Sequence, residues 1–179
     1  MLRSITLAAS IATAGLLQFN PLLASGLILA QAESGSADSV QQKSKLVDMW
    51  RPGDPGQRMN IRGRVTSIDG TPLAGIPIRV RQADGNGDYS ENYQAVLLSD
   101  DKGRYQFGSV VPDNYSGARH VHLEVYIDEY EYYDTSILFK GDPNLEQHYD
   151  DGQAIFLEES TVNGETILFG RFDIMLTPN

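Results

Sequence analysis

The residues of this sequence best suited to bind a metal ion are its histidines and some of its tyrosines. His120 and His122 are separated by a single residue in the alternating run "RHVHLEV". Alternate residues of a β-strand point to the same face, so both imidazoles can approach one ion. Two solvent-facing histidines on an ordinary sheet are the simpler interpretation of this motif alone. His148, the third histidine, lies beside acidic residues in "NLEQHYDDG" and is interpreted as solvated surface.

Two tyrosines at turns extend the set of candidate ligands. Tyr89 ends "DGNGDY", and Tyr115 ends "VVPDNY" just ahead of the histidine run. An ionised phenol is a hard anionic oxygen donor that suits ferric iron, and its free pKa of about 10 means that a cation must favour its ionisation. Two phenolates and two imidazoles would leave a trivalent ion with a net single positive charge. Packing at the rim of a sheet is the alternative role for these tyrosines.

The charge of the sequence excludes several classes of partner. The formal net charge is −10, and no run of lysine and arginine occurs. Such a chain has no general attraction to nucleic acid or to an anionic membrane surface. The sequence also contains no cysteine, so neither disulfides nor thiolate metal ligands are available.

Residues 1–32 have the features of a secretory signal peptide. Arg3 is their only charge, a long apolar stretch follows, and Ala30-Gln31-Ala32 is a small-x-small cleavage pattern. We therefore expect a secreted or periplasmic protein whose mature domain does not insert into a membrane. Retention of this segment as an anchor is the alternative. Residues 33–58 are polar and then rich in proline and glycine, which predicts a flexible N-terminal arm.

Residues 59–179 are predicted to form one all-β domain. Short runs with a period of two, such as "MNIRGRV" and "IPIRVRQ", are separated by turn signals such as Asp69-Gly70. No helical period is sustained after residue 60. The pattern predicts a single β-sandwich of about six to eight mostly antiparallel strands with long irregular loops.

Several stretches together resemble the intradiol ring-cleavage dioxygenases, the family of protocatechuate and catechol dioxygenases. "GRVTSIDGTPLAGIPIRVRQADGNGDY" resembles the family's strand–turn–strand segment that leads to a first ligand tyrosine. "SDDKGRYQFGSVVPDNY" resembles the segment that ends at a second tyrosine, and "RHVHLEV" resembles the histidine-pair strand. The resemblance extends over roughly residues 50–179, and this chain would be an exported short form.

This resemblance implies an enzyme of aromatic catabolism that incorporates both atoms of O₂ into a catechol-type ring. Its cofactor would be a non-haem Fe(III) ion bound by Tyr89, Tyr115, His120 and His122. Cleavage between the two hydroxylated carbons would give a muconate-type diacid. Tyr115 would be the ligand that leaves and accepts a substrate proton, which makes it a catalytic residue. Members of the family are often dimers, so the resemblance is compatible with a homodimer.

The residues around this site depart from the family pattern at three positions. Arg81 stands where the family usually has tryptophan, and Ser136 stands where it often has glutamine. Gly117 stands where the family commonly has arginine, and the nearest arginine is Arg119, adjacent to His120. We name Arg119 as a second catalytic candidate, although regular alternation turns it away from the histidines unless a bulge intervenes.

A non-catalytic extracytoplasmic module is the competing hypothesis. Transthyretin-like and carboxypeptidase-regulatory-like sandwiches share the pattern of "GRVTSIDGTPLAGIPIRV" followed by "SDDKGRYQF". This hypothesis explains the predicted fold equally well. It offers no reason for "RHVHLEV" to follow "PDNY".

Overall fold

The computed structural model describes residues 45–114, 117–145 and 154–179. Within these ranges the chain forms eleven β-strands, and several of them are only two or three residues long. In chain order the strands are β1 (Val47–Asp48), β2 (Arg58–Ser67), β3 (Pro77–Ala83), β4 (Tyr89–Leu98), β5 (Arg104–Val110), β6 (His120–Val125), β7 (Tyr133–Phe139), β8 (Ala154–Ile155), β9 (Glu158–Val162), β10 (Glu165–Arg171) and β11 (Ile174–Leu176).

The strands form two sheets. The first sheet has the order β1-β5-β2-β10-β9, with β11 also paired to β2, and the second has the order β4-β3-β6-β7-β8. The ladders β2–β5, β3–β4, β3–β6 and β6–β7 are antiparallel. In contrast, β10 and β11 both run parallel to β2. The second sheet contains His120 and His122, at the first and third positions of β6.

The core lies between the sheets because alternate residues of the long strands are apolar. Ile61 and Val65 of β2 are fully buried, as are Val121 and Leu123 of β6, and all four belong to one hydrophobic cluster. Burial of each such side chain is worth roughly 1.5–3 kcal/mol. The polar residues between them are consequently turned to the outer faces of the sandwich, and β6 alternates between buried and partly exposed along its whole length.

The all-β sandwich predicted from the sequence is confirmed, but the number of strands is larger than expected. The additional strands are the short β1, β8 and β9, which have no long alternating pattern. The last apolar run, "TILFGRFDIML", also forms two strands rather than one. Between them the Phe172 N–H donates to the Arg62 carbonyl, and the Asp173 carboxylate accepts the Arg64 N–H. Both parts of the run therefore pair with β2 in succession.

The end of the segment expected as an N-terminal arm is built into the first sheet. Val47 and Asp48 form β1, which pairs in parallel with β5. The Arg58 guanidinium lies between the carboxylates of Asp48 and Glu165, at 2.7 and 2.9 Å, and stands 4.1 Å from the Trp50 ring centroid. The expected signal peptide, residues 1–32, lies outside the described residues. Among the residues that are described, no helix is long and apolar enough to cross a membrane.

Candidate functional site

The histidine pair occupies the outer face of the second sheet. His120 and His122 alternate with the buried Val121 and Leu123 of β6. Their rings meet edge to face with centroids 4.6 Å apart, and the two Nε2 atoms are 3.1 Å apart. Two nitrogens bonded to one transition-metal ion at about 2.1 Å and at right angles would be about 3 Å apart. The observed spacing therefore fits the binding of a single ion.

A backbone carbonyl sets the orientation of the first imidazole. The Nδ1 atom of His120 is 2.8 Å from the Ala118 carbonyl oxygen, which can only accept a hydrogen bond. Nδ1 therefore carries the proton, and the lone pair lies on Nε2, directed toward His122. A bound cation would require His122 to carry its own proton on Nδ1 as well.

Four strands contribute side chains to one row that crosses this face. His122 pairs directly with Arg81 of β3 on one side and with Ser136 of β7 on the other. Arg81 in turn pairs with Gln94 of β4. Directly paired residues of neighbouring strands share a face, so all four side chains stand on the outside of the sheet. Two of the positions that depart from the family pattern, Arg81 and Ser136, are thus the immediate neighbours of His122.

A shift in the β3–β4 register brings Tyr89 to the same face. From Pro77 to Arg81 the ladder is regular, and its continuation would pair Ala83 with Asn92. Ala83 pairs instead with Tyr89, three residues earlier along β4. The guanidinium of Arg81 lies 5.7 Å from the centroid of the Tyr89 ring, which is 41% exposed. The phenol therefore reaches the outer face that holds the histidines.

Two buried polar side chains hold this irregular part of the ladder. Gln82 is completely buried, and its Nε2 donates to the Val110 carbonyl across the sandwich at 2.8 Å and to the Ala83 carbonyl at 3.0 Å. Tyr93, in the extra segment of β4, is 4% exposed. Burial and the neighbouring carboxylates of Asp54 and Asp84 raise the pKa of Tyr93 to about 12. Its phenol thus stays protonated at neutral pH, and its side chain packs inward from this part of β4.

Sequence reasoning missed Gln82, although a signal was present. The inward positions of β3 carry Ile78, Val80 and then Gln82. A polar residue at a core position of an alternating strand is normally buried with hydrogen-bond partners. It therefore indicates a structural link at that point of the strand.

The segments on either side of Tyr115 contact the site. Asp113 donates its N–H to the carbonyl of Asp84, which begins the turn before Tyr89. The Asp84 carboxylate also accepts the N–H groups of Asn86 and Asp88 within that turn. On the other side of Tyr115, Ala118 accepts the His120 hydrogen bond. Tyr115 itself lies outside the described residues, as does His148.

Arg119 is held by a buried carboxylate. Its Nε and its backbone N–H both donate to Oδ2 of Asp142 at 2.9 Å. Burial alone would raise the pKa of Asp142, but hydrogen bonds from the Asn144 and Arg119 backbones and the Arg119 side chain lower it. The Arg119 side chain is thus directed to Asp142. The residue thus fixes the chain immediately before β6.

Gly117 has a backbone conformation that side chains rarely adopt. Its φ is +141°, a region that favours glycine. An arginine at this position would be strained in the observed backbone. The observed backbone therefore favours the glycine of this chain over the arginine of the family pattern.

The phenol of Tyr89 shares the sheet face of the imidazole pair. Across residues 45–114, 117–145 and 154–179, no three His, Cys, Asp or Glu side chains gather into a metal-binding group. His120, His122 and the outward Tyr89 share one sheet face, and nitrogen donors with a hard oxygen donor are a combination that suits iron. Tyr115 is the fourth ligand expected from the sequence.

The fold and site define a small β-sandwich with imidazole and phenol donors on one outer face. The sequence model of the family described as "Dioxygenase" matches residues 33–178. Catechol 1,2-dioxygenase 2 of Acinetobacter lwoffii is 34% identical over a match that covers 51% of this chain and 43% of the relative. The chain spans about half the length of the curated relatives that it matches.

Solved structures of dioxygenases have the same fold as this chain. Wild-type catechol 1,2-dioxygenase of Acinetobacter radioresistens superposes with a TM-score of 0.69 at 18% identity, covering 89% of this chain and 69% of that one. The dioxygenase domain of a carbohydrate-binding fusion from Streptomyces sp. SirexAA-E has a TM-score of 0.63 at 20% identity, covering 79% and 96%. The chain belongs to the intradiol ring-cleavage dioxygenase family.

Replacing Gln82 tests whether its buried amide stabilises the fold around the site. In Gln82→Leu the Val110 and Ala83 carbonyls lose their shared donor where water cannot replace it. We expect the free energy of unfolding to fall by about 1–3 kcal/mol, measured by urea denaturation. Gln94→Leu, a partly exposed glutamine on the neighbouring strand, should change it by about 0.5 kcal/mol or less. Equal losses in the two variants would contradict this role.

The ionisation of His122 should make the stability of the iron-free protein depend on pH. Burial, and then the charges of His120 and Arg81, lower the pKa of His122, while Asp134 and Glu124 oppose this shift. Below about pH 6.5 the unfolded chain binds a proton that the folded site resists. Stability should therefore fall as the pH drops through about 6.5 and level off below the folded-state pKa.

NMR titration of the His122 imidazole, together with urea denaturation at several pH values, measures this effect. The variant His122→Gln removes the titrating group and should show a smaller loss of stability between neutral and acidic pH. Identical pH profiles of wild type and variant, or an imidazole midpoint above 6.5, would show the prediction to be wrong.

Proposed function

We propose that this protein is a non-haem Fe(III) intradiol dioxygenase that cleaves catechol-type rings between their two hydroxylated carbons. The observation that carries the proposal is the placement of His120, His122 and the outward Tyr89 on one face of the second sheet. Catechol and chlorinated hydroxyquinol dioxygenases are among the relatives of the chain. The substrates would be a catechol-type molecule and O₂, and the product a muconate-type diacid.

The chain's own residues have distinct roles in this proposal. His120 and His122 would hold the ion, with His120 fixed by the Ala118 carbonyl. Tyr89 would remain bound throughout, and Tyr115 would give way to the substrate and accept one of its protons. When bound, ferric iron supplies the electron-withdrawing centre that makes a catecholate ring carbon reactive toward O₂.

Two arginines would support this chemistry from different positions. Arg81 stands beside His122 and over the Tyr89 ring, so its positive charge favours anionic oxygens at the site. Arg119 would act as a positioning residue, because its contacts with Asp142 hold the backbone that leads into His120. In this arrangement Arg81 provides charge at the site in a position where the family usually has tryptophan.

Oxygen uptake by iron-loaded protein against a panel of catechols, with mass identification of ring-opened products, tests the proposal. The holoprotein should be red-brown from tyrosinate-to-iron charge transfer. The variants His122→Ala, Tyr89→Phe and Tyr115→Phe should each lose colour and about 100-fold or more of the activity, because each removes an ion ligand. Tyr126→Phe is the matched control, since Tyr126 is 76% exposed and packs only against Tyr132 among the described rings.

Two results would contradict the enzyme assignment. A colourless protein that takes up no iron would remove the proposed site altogether. An iron-loaded protein that consumes no O₂ with any catechol would favour the non-catalytic extracytoplasmic module instead. Full colour and activity in Tyr115→Phe would contradict the role of that residue alone.

We also propose that the protein is exported after removal of residues 1–32. The support is the charge and apolar pattern of this segment and its Ala30-Gln31-Ala32 ending. The N-terminal sequence of protein recovered from the extracytoplasmic fraction should begin at Glu33. Recovery of the intact chain from the membrane fraction would favour an anchor, and recovery from the cytoplasm alone would contradict export.

A further inference from the structure

Four arginines line one cleft on the outer face of the first sheet. The cleft has a volume of about 460 Å³, and its described lining consists of Arg62, Gly63, Arg64, Arg104, Tyr105, Gln106, Arg171 and Asp173. The sequence has a net charge of −10 and only 14 lysines and arginines in total. Such a local concentration of positive charge runs against the overall composition of the chain.

The strand register produces this cluster. Arg62 of β2 pairs with Gln106 of β5 on one side and with Arg171 of β10 on the other, and Arg64 pairs with Arg104. Directly paired side chains share a face, and like charges placed opposite each other destabilise a sheet. Two pairs of arginines are therefore placed side by side, and an anion between them would offset their mutual repulsion.

Backbone on the core side of the sheet lies beneath the cleft, because Gly63 and Tyr105 occupy inward positions of β2 and β5. A Cβ atom on Gly63 would lie 1.7 Å from the Phe172 carbonyl oxygen, so this position has room only for glycine. The same carbonyl accepts a hydrogen bond of 2.6 Å from the Tyr105 hydroxyl, which fixes the chain between β10 and β11. The arginines thus stand over backbone that contacts from the core side hold in place.

Two of the four guanidinium groups are already held, and two are not. Arg104 is paired with the buried Asp100, and Arg171 makes a two-pronged contact with Asp173. For the guanidinium groups of Arg62 and Arg64, no carboxylate lies within 4 Å in the described part of the chain. Among the described residues, the cleft therefore combines two arginines held by carboxylates with two whose guanidinium groups have no carboxylate partner.

We propose that this cleft binds a small multivalent oxyanion, a molecule with two or more phosphate or carboxylate groups. The planar guanidinium fork matches both groups in two-pronged geometry. The cleft volume lies within the range of small-molecule sites. A long polyanion fits less well, because the neighbouring edge strand β9 carries the exposed Glu158 and Glu159 on the same sheet.

This site is separate from the proposed iron site. Its residues belong to the sheet of β2, β5 and β10, whereas the histidines belong to the sheet of β3 and β6. Both clusters project outward from a shared core, so they stand on opposite outer faces. The inference therefore does not depend on the proposed enzymatic function.

Isothermal titration calorimetry of the iron-free protein with inorganic pyrophosphate and with citrate tests the proposal and distinguishes the two kinds of oxyanion. We expect saturable binding of at least one of them with one site per chain. The double variant Arg62→Gln/Arg64→Gln should weaken that binding by about tenfold or more, because it removes both uncommitted guanidinium groups. Arg62→Lys/Arg64→Lys, which keeps the charge but not the fork, should have an intermediate affinity.

The matched control is Lys45→Gln/Arg51→Gln, which removes the same charge from two exposed residues outside the cleft. Its affinity for either anion should change by less than about twofold, because a local site depends little on exposed charges elsewhere on the surface. Thermal denaturation of every variant without anion checks that the fold is retained. Absence of saturable binding of both anions, unchanged binding in Arg62→Gln/Arg64→Gln, or tighter binding of heparin than of either small anion would each overturn the proposal.

Discussion

The alternation of side chains on the long strands is the constraint on which both outer faces of this sandwich depend. Val121 and Leu123 belong to the buried core, so the residues between and before them on β6 must face outward. On the opposite sheet, burial of Ile61 and Val65 has the same effect on Arg62 and its neighbours. One apolar core therefore determines where an imidazole pair and a basic cleft are displayed, although the imidazoles and the guanidinium groups themselves lie outside that core.

Alternation was also the part of the structure that the sequence could predict. The period of two in the long runs indicated the sandwich and the shared face of His120 and His122. The short strands could not be predicted in this way, because two to five residues such as those of β8 and β9 form strands only through their tertiary partners. The position of Tyr89 depends on a register shift that involves the buried Gln82, and the partner of Arg119 lies 23 residues further along the chain. Both features arise from contacts between distant segments rather than from a local pattern.

Two buried carboxylates orient arginines in the same way at separate places in the fold. Asp142 accepts both the backbone N–H and the side-chain Nε of Arg119. Asp100 accepts the corresponding pair of groups from Arg104, together with the Lys102 N–H. Each carboxylate is surrounded by charge-assisted hydrogen bonds, which offset the cost of its burial. A few such carboxylate–arginine pairs therefore fix the positions of positive charges on this acidic chain. The net charge of the sequence consequently does not predict the charge of either outer face.

The register shift in β4 makes the length of one segment matter more than its composition. Three extra residues separate the regular part of the ladder from Tyr89, and three is an odd number. Tyr89 therefore returns to the face of Gln94, whereas an unbroken strand would turn it to the opposite face. Deletion or insertion of a single residue between Tyr89 and Gln94 would reverse the phenol, while a change of two would preserve its direction. Homologues and designed variants that keep this site should accordingly vary here in steps of two residues.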